Sequence, residues 1–220
     1  MAENKTGRQV RDEHLQRLGL PLGLQRLGLP LGPIYNALYN EVVWLHAKWQ
    51  QYRILFVESQ ERLDLLNGTA GFFFSVIQKV LWEDILLHIA LLTDRPQSSG
   101  KDNLTLLQLI PALQASPIAT EIETLVKQAE KHAEFARDLR NRHLAHRDLH
   151  LATNDQATPL SEVSRENIEH ALGAMRAVLN KMESHFWQSE VLFTRFLAPD
   201  DAESLVYYLK VGLDAEKQPR

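Results

Sequence analysis

The chain predicts an all-α fold, a bundle of four long helices with shorter helices between and after them. Three observations carry this. Apolar residues recur every three or four positions in four stretches, a connector rich in Gly, Pro and Ser (Asp94 to Asn103) divides them, and no strand alternation or hairpin signal stands out. With 220 residues and 45% hydrophobic side chains, there is enough material for a substantial core.

Residues 1 to 14 are polar and charged. Leu15 to Gly23 (LQRLGLPLG) is then repeated identically as Leu24 to Gly32. A nonamer in two copies is too short for a solenoid, which needs repeats of roughly 20 residues or more. Residues 1–32 are therefore expected to be a flexible leader arm whose leucines can dock on a partner. The bundle is expected over 33–190 and short C-terminal helices over 191–220.

The first helix is predicted from Pro33 to Arg62 on the stripe Ile34, Leu38, Val42, Leu45, Trp49, Tyr52 and Phe56, with Pro33 in the first turn, where its missing N–H costs little. A second, from Leu63 to Thr93, is apolar nearly all round, so it is expected to be the most buried element. Gly68 and Gly71 should weaken or bend its first turns. The run Phe72 to Leu92 is long enough to cross a bilayer, but Gln78, Lys79, Glu83, Asp84 and His88 make a helix buried within protein the better reading. The tryptophans and Phe72 to Phe74 are read as core, not as a base-stacking surface.

Asp94 to Asn103 is a connector, and Leu104 to Leu113 a short helix limited by Pro111. Ser116-Pro117 should cap and open a third long helix carrying Ile118, Ile122, Leu125, Ala129, Ala133, Ala136 and Leu139. Polar sequence follows to Val163. Ser164 should cap a fourth helix to Trp187, striped by Ile168, Ala171, Leu172, Met175, Val178, Leu179 and Met182. A last helix should begin near Pro199-Asp200-Asp201, the acids suiting its N-terminus.

Composition also restricts function. The absence of cysteine excludes disulfides, thiolate ligands and a cysteine nucleophile. A formal charge of -4 argues against a broad nucleic-acid-coating surface. No secretory signal is evident, so a cytoplasmic location without a membrane partner is the default expectation.

Chemistry concentrates at the end of the third helix, in Arg140-Asn141-Arg142-His143-Leu144-Ala145-His146-Arg147-Asp148. Continuing that helix's stripe makes 139/140, 143 and 146/147 the next inward positions, so polar groups occupy places that face the core. Burying them without partners costs several kcal/mol by order of magnitude, which points to a cleft, a partner chain or solvent at this end. In a regular helix Arg140 and His146 lie about 120° apart, whereas Arg142 and His146 are matched at i,i+4. Arg140 and His146 can cooperate only if the helix loosens near Leu144, if they face a shared groove from different angles, or if two chains each contribute a motif. The alternative to a site is a solvated helix end, where Lys, Arg and His favour the macrodipole.

Two further groupings offer themselves. Asp84 and His88, at i,i+4, read as a satisfied core pair or as support for the Arg/His cleft. His146 and His150 with Asp148 between invite a metal reading, which is disfavoured because no Glu-x-x-His pair of the kind that builds bundle metal sites accompanies them. No cofactor and no metal site is expected.

Arg140-Asn141 followed by His146 resembles the R-x4-6-H signature of HEPN domains. With Phe72-Phe73-Phe74, Trp82-Glu83-Asp84 through His88 to Asp94, and Phe135-Ala136-Arg137-Asp138, the resemblance is to the abortive-infection AbiU-type branch, over roughly residues 35 to 190. It implies a HEPN-like bundle and metal-independent RNA cleavage, used as a toxin or phage-defence effector and often carried out by a homodimer whose motifs face one another. On this chain His146 would move the proton, Arg140 would stabilise phosphoryl charge and Asn141 would orient the histidine or the phosphate. Arg142, His143 and Arg147 would contact RNA, and a regulatory or antitoxin partner would be expected. The alternative function is a non-catalytic helical module for dimerisation, RNA binding or protein interaction.

Overall fold

The computed structural model of the protein describes residues 27–28, 30–144, 163–194 and 200–216. Their architecture is all-α. The elements run α1 (Leu31–Phe56), α2 (Gln60–Leu92), β1 (Gln97–Ser98), β2 (Lys101–Asp102), a 3-10 turn (Leu106–Gln108), α3 (Leu109–Ala112), α4 (Ala119–His132), α5 (Glu134–Leu139), a π turn (Arg140–Leu144), α6 (Arg165–Trp187) and α7 (Ala202–Glu216). Of the leader, residues 1–26 and Leu29 lie outside the described residues, as do His146 to His150.

The chain forms two compact units, and the division falls inside both long helices. The first comprises the described parts of Met1–Trp44, Leu91–Glu134 and Val163–Val191. Its spine is α4 packed along α6. Ile168, Ala171, Leu172, Met175, Val178, Leu179 and Met182 are all buried, as the stripe predicts, and Ser164 caps the helix by accepting the Asn167 N–H at 3.1 Å. Burial of a large apolar side chain is worth up to about 1.5–3 kcal/mol before entropy is counted, so this face stabilises α6 far more than its cap does. Lys181 pairs with Glu121 across the α4–α6 contact.

In the same unit Tyr35 donates a hydrogen bond to Glu183 and stacks on Trp187 at 5.4 Å. Ser189 donates to the other carboxylate oxygen at 2.8 Å. Burial, then the Glu183 carboxylate, pushes the Tyr35 and Tyr39 phenols above their ordinary range. Both stay protonated at neutral pH, so neither can serve as a base.

The second unit comprises the described parts of Leu45–Ala90, Phe135–Glu162 and Leu192–Arg220. Trp49, Tyr52, Phe56 and Trp82 form an aromatic cluster with centroid separations of 5.3 to 6.4 Å. Arg62 ties α7 to α2, with Nη2 donating to both Glu203 oxygens at 2.9 Å, while the Ala202 N–H donates to Gln51 at 2.7 Å.

Several expectations are corrected. The first break falls at Ser59, not Leu63, because the Ser59 hydroxyl accepts the Arg62 N–H at 3.2 Å and starts α2 there. Ser116-Pro117 does not cap the next long helix: Ile118 occupies the N-cap without a side-chain bond, and α4 starts at Ala119. That helix is also not continuous, since the chain breaks at Ala133 and restarts as α5. The connector contains a two-residue hairpin, permitted by positive φ at Ser99 (50°) and Gly100 (74°), as a tight hairpin turn requires.

The largest correction concerns α2. It kinks at Ala70, which takes φ -150° and ψ 57° between Gly68 and Gly71, as the glycines predict. It is not, however, the most buried element. Phe72 is 87% exposed, Phe73 57%, Val80 54% and Val76 44%, and only Phe74 of the three phenylalanines is buried. An all-round apolar helix signals burial only when something covers every face, and here one face has no cover within the described chain.

Candidate functional site

The segment leading to the motif is held by Phe135, Ala136 and Leu139, all buried. Immediately after Leu139 the winding widens into the π turn over Arg140–Leu144. The regular helix thus loosens at the motif, one of the three arrangements considered above, and π turns are frequent at functional sites because they displace side chains from the regular register.

Within that turn Arg140 and Asn141 form a fork. Arg140 Nε and Nη2 donate to Asn141 Oδ1 at 3.0 and 2.8 Å. Two bonds from a planar guanidinium to one amide oxygen fix the rotation of both side chains. The fork orients the guanidinium. Arg142 is held differently, by a 3.6 Å ion pair with Asp138 one turn earlier. Asn141 is exposed, while Arg140 and Arg142 are half-buried. His143 lies in the turn, but its side chain is outside the described residues, as are His146 and Arg147 entirely.

Asp84 and His88 are joined by a residue that the sequence did not single out. Lys48 donates to Asp84 and contacts His88 Nδ1 at 2.8 Å. An ammonium has donors only, so Nδ1 must accept and the neutral ring carries its proton on Nε2. The pair is therefore satisfied through α1. It is not a core pair, since the Asp84 side chain is 49% exposed, against 13% for Lys48. The one hint was a lysine flanked by the stripe positions Leu45, Trp49 and Tyr52. This trio belongs to the same compact unit as α5 beyond Glu134 and the π turn.

Among the described residues, no group of three or more His, Asp or Glu side chains is arranged to hold a metal, and no helix is long and apolar enough to cross a membrane.

No curated protein and no solved structure matches the chain. The sequence profile HEPN_AbiU2, described as AbiU2, matches residues 29–205. That span takes in both long helices, the Arg140–Asn141 fork and all of α6. The chain belongs to the AbiU2 family of HEPN proteins.

Proposed function

We propose that the protein is a metal-independent endoribonuclease of the HEPN type, acting as a toxin or phage-defence effector in abortive infection. Family membership supports the defence setting. The observation that carries the chemical reading is the Arg140–Asn141 fork in a π turn, which holds a guanidinium in a fixed orientation.

In this reading the ribose 2′-oxygen attacks the adjacent phosphorus and the bond from phosphorus to the 5′-oxygen breaks, leaving a 2′,3′-cyclic phosphate and a 5′-hydroxyl. His146 takes the 2′-OH proton or supplies the one gained by the leaving oxygen, a task suited to an imidazole near neutrality. Arg140 neutralises charge growing on the non-bridging oxygens. Asn141 Oδ1 fixes the guanidinium, and its amide N–H groups are oriented by the same fork to donate to phosphate. Arg142, His143 and Arg147 hold flanking phosphates, and the Lys48–Asp84–His88 trio supports the site. Imidazole and guanidinium together supply proton transfer and charge stabilisation, so the reaction requires no metal.

The test is incubation of the purified protein with cellular RNA in chelator, followed by analysis of the 5′ ends. Cleavage that disappears in His146→Ala and Arg140→Ala is the expected result. Cleavage that survives in His146→Ala sinks the assignment. A second reading, a non-catalytic interaction module that uses the same motif, would show altered binding or stability in these variants with no turnover in any of them.

A further inference from the structure

The helix pair at the spine of the first unit carries two contacts between side chains on one line. One is the ion pair of Glu121 with Lys181. The other joins His132 to His170, whose ring centroids lie 5.6 Å apart with the planes tilted by 51°. An early residue of α4 meets a late residue of α6 and the reverse, so the helices run antiparallel. The two contacts are eleven positions apart along each helix, about three full turns, so the faces that meet at the ion pair meet again at the histidines. Packing fixes the backbone beneath them: Ala129 and Ala133 on one side, and Ile168, Ala171 and Leu172 on the other, are buried. Both imidazoles are exposed, His170 by 57%, so neither ring is there to fill the core.

Imidazoles held at this separation have the spacing of a chelate. An ion of the zinc type bonds imidazole nitrogen at about 2.0–2.1 Å, which puts it roughly 3.2 Å from each ring centre and, at a tetrahedral angle, sets the two ring centres about 5.2 Å apart. The rings already stand close to that distance, and exposed side chains adjust at little cost. Glu166, one turn before His170, brings Oε1 to 3.9 Å from Nε2, beyond hydrogen-bond range. Its carboxylate adds negative charge beside the rings, as the acidic partners of metal-bound histidines do. Two imidazoles leave the remaining positions to water, so this is an open clamp and not a three-ligand centre. Imidazole suits zinc, nickel and copper, whereas magnesium and calcium take oxygen ligands.

We propose that His132 and His170 form a two-histidine clamp for a divalent transition-metal ion of the zinc class, with Glu166 beside it. Chain order gives the clamp a task. His132 is the last residue of α4, and His170 lies in the second turn of α6. The ion therefore ties together the two roots of the stretch from Ala133 to Glu169, which carries the Arg140–Asn141 fork, and metal clips that close long loops favour the closed chain. It holds helices and takes no part in cleavage, so binding here is measured without RNA and stands apart from the chelator-resistant reaction.

The experiment titrates the full chain with zinc chloride near neutral pH and follows the imidazoles by nitrogen-15 spectra, because nine histidines are present and the event has to be assigned to two of them. His132 and His170 should shift together, with a Kd on the order of 1–100 μM, well short of a four-ligand structural site. His132→Ala and His170→Ala, each of which leaves one ligand, should each weaken binding by on the order of 100-fold, and Glu166→Gln by about 10-fold. All three side chains are exposed, so circular dichroism should stay unchanged. Magnesium at the same concentrations should leave both rings unmoved. No shift of either ring at millimolar zinc, unchanged affinity in the His132→Ala/His170→Ala double variant, or loss in one single variant but not the other would each overturn the proposal. Displacement of zinc by equimolar magnesium would overturn it as well, because it marks an oxygen site on the glutamates.

Discussion

Replacing Lys48 by methionine separates the two contributions of that residue. Met keeps most of the apolar stem that passes between α1 and α2 and removes the ammonium. The lost interactions are an ion pair with Asp84 and a hydrogen bond to His88 Nδ1. Hydrogen bonds to charged groups contribute about 1.5–3 kcal/mol when shielded, whereas exposed ion pairs contribute about 0.2–1 kcal/mol. Lys48 is nearly covered but Asp84 is half exposed, so the carboxylate bond belongs near the lower figure and the histidine bond between the two. Together they predict a loss of about 1–2 kcal/mol, or roughly 3–6 °C in melting temperature for a chain of this size.

Urea unfolding of wild type, Lys48→Met, Asp84→Asn and the double variant gives the coupling directly. Nitrogen-15 spectra of His88 give a readout that packing alone does not move. The wild-type ring should show the Nε2–H tautomer, and in Lys48→Met both tautomers should become populated. Stability within about 0.3 kcal/mol of wild type, a value inside the usual spread of surface substitutions, together with an unchanged tautomer would refute the trio as a coupled unit.

Other outcomes can be checked with standard measurements. In the chelator assay, His146→Ala should reduce cleavage by about 10²–10⁴-fold, the range for a general acid or base. Arg140→Ala should cost about 10²–10³-fold, with Asn141→Ala between wild type and Arg140→Ala because it releases the guanidinium without removing it. Ser164→Ala should cost about 1 kcal/mol through loss of the α6 cap, read as a lower urea midpoint with an unchanged slope. Tyr35 and Tyr39 are held protonated above the usual phenol range, so the unfolded chain loses these protons first as pH rises. Stability should therefore fall as pH passes about 10, and Tyr35→Phe should flatten that fall; a normal tyrosine titration followed by ultraviolet absorbance in the folded protein would contradict this.

Which features were legible in the sequence follows from how local their causes are. The span of α6 was readable to the residue because its cap, Ser164, and its seven buried positions are written within 24 consecutive residues. The kink at Ala70 was readable for the same reason, with Gly68 and Gly71 on either side. Exposure on α2 was not, because composition records how apolar a helix is and not which of its faces is covered. Lys48 escaped notice because its partners lie 36 and 40 positions away, beyond the reach of helical spacing. At the motif the adjacency of Arg140 and Asn141 was plain, but that Asn141 would grip the guanidinium depends on rotamers, which spacing does not specify.

The π turn at Arg140–Leu144 gives a physical meaning to the looseness of the motif itself. A signature that tolerates four, five or six residues between arginine and histidine would make little sense on a rigid α-helix, where each added residue swings the second side chain by about 100°. A turn closed by i→i+5 bonds takes up one more residue per hydrogen bond than an ordinary turn. Helix ends that can be wound with different pitch absorb such differences in count. Insertion or deletion at this point is thus a matter of winding.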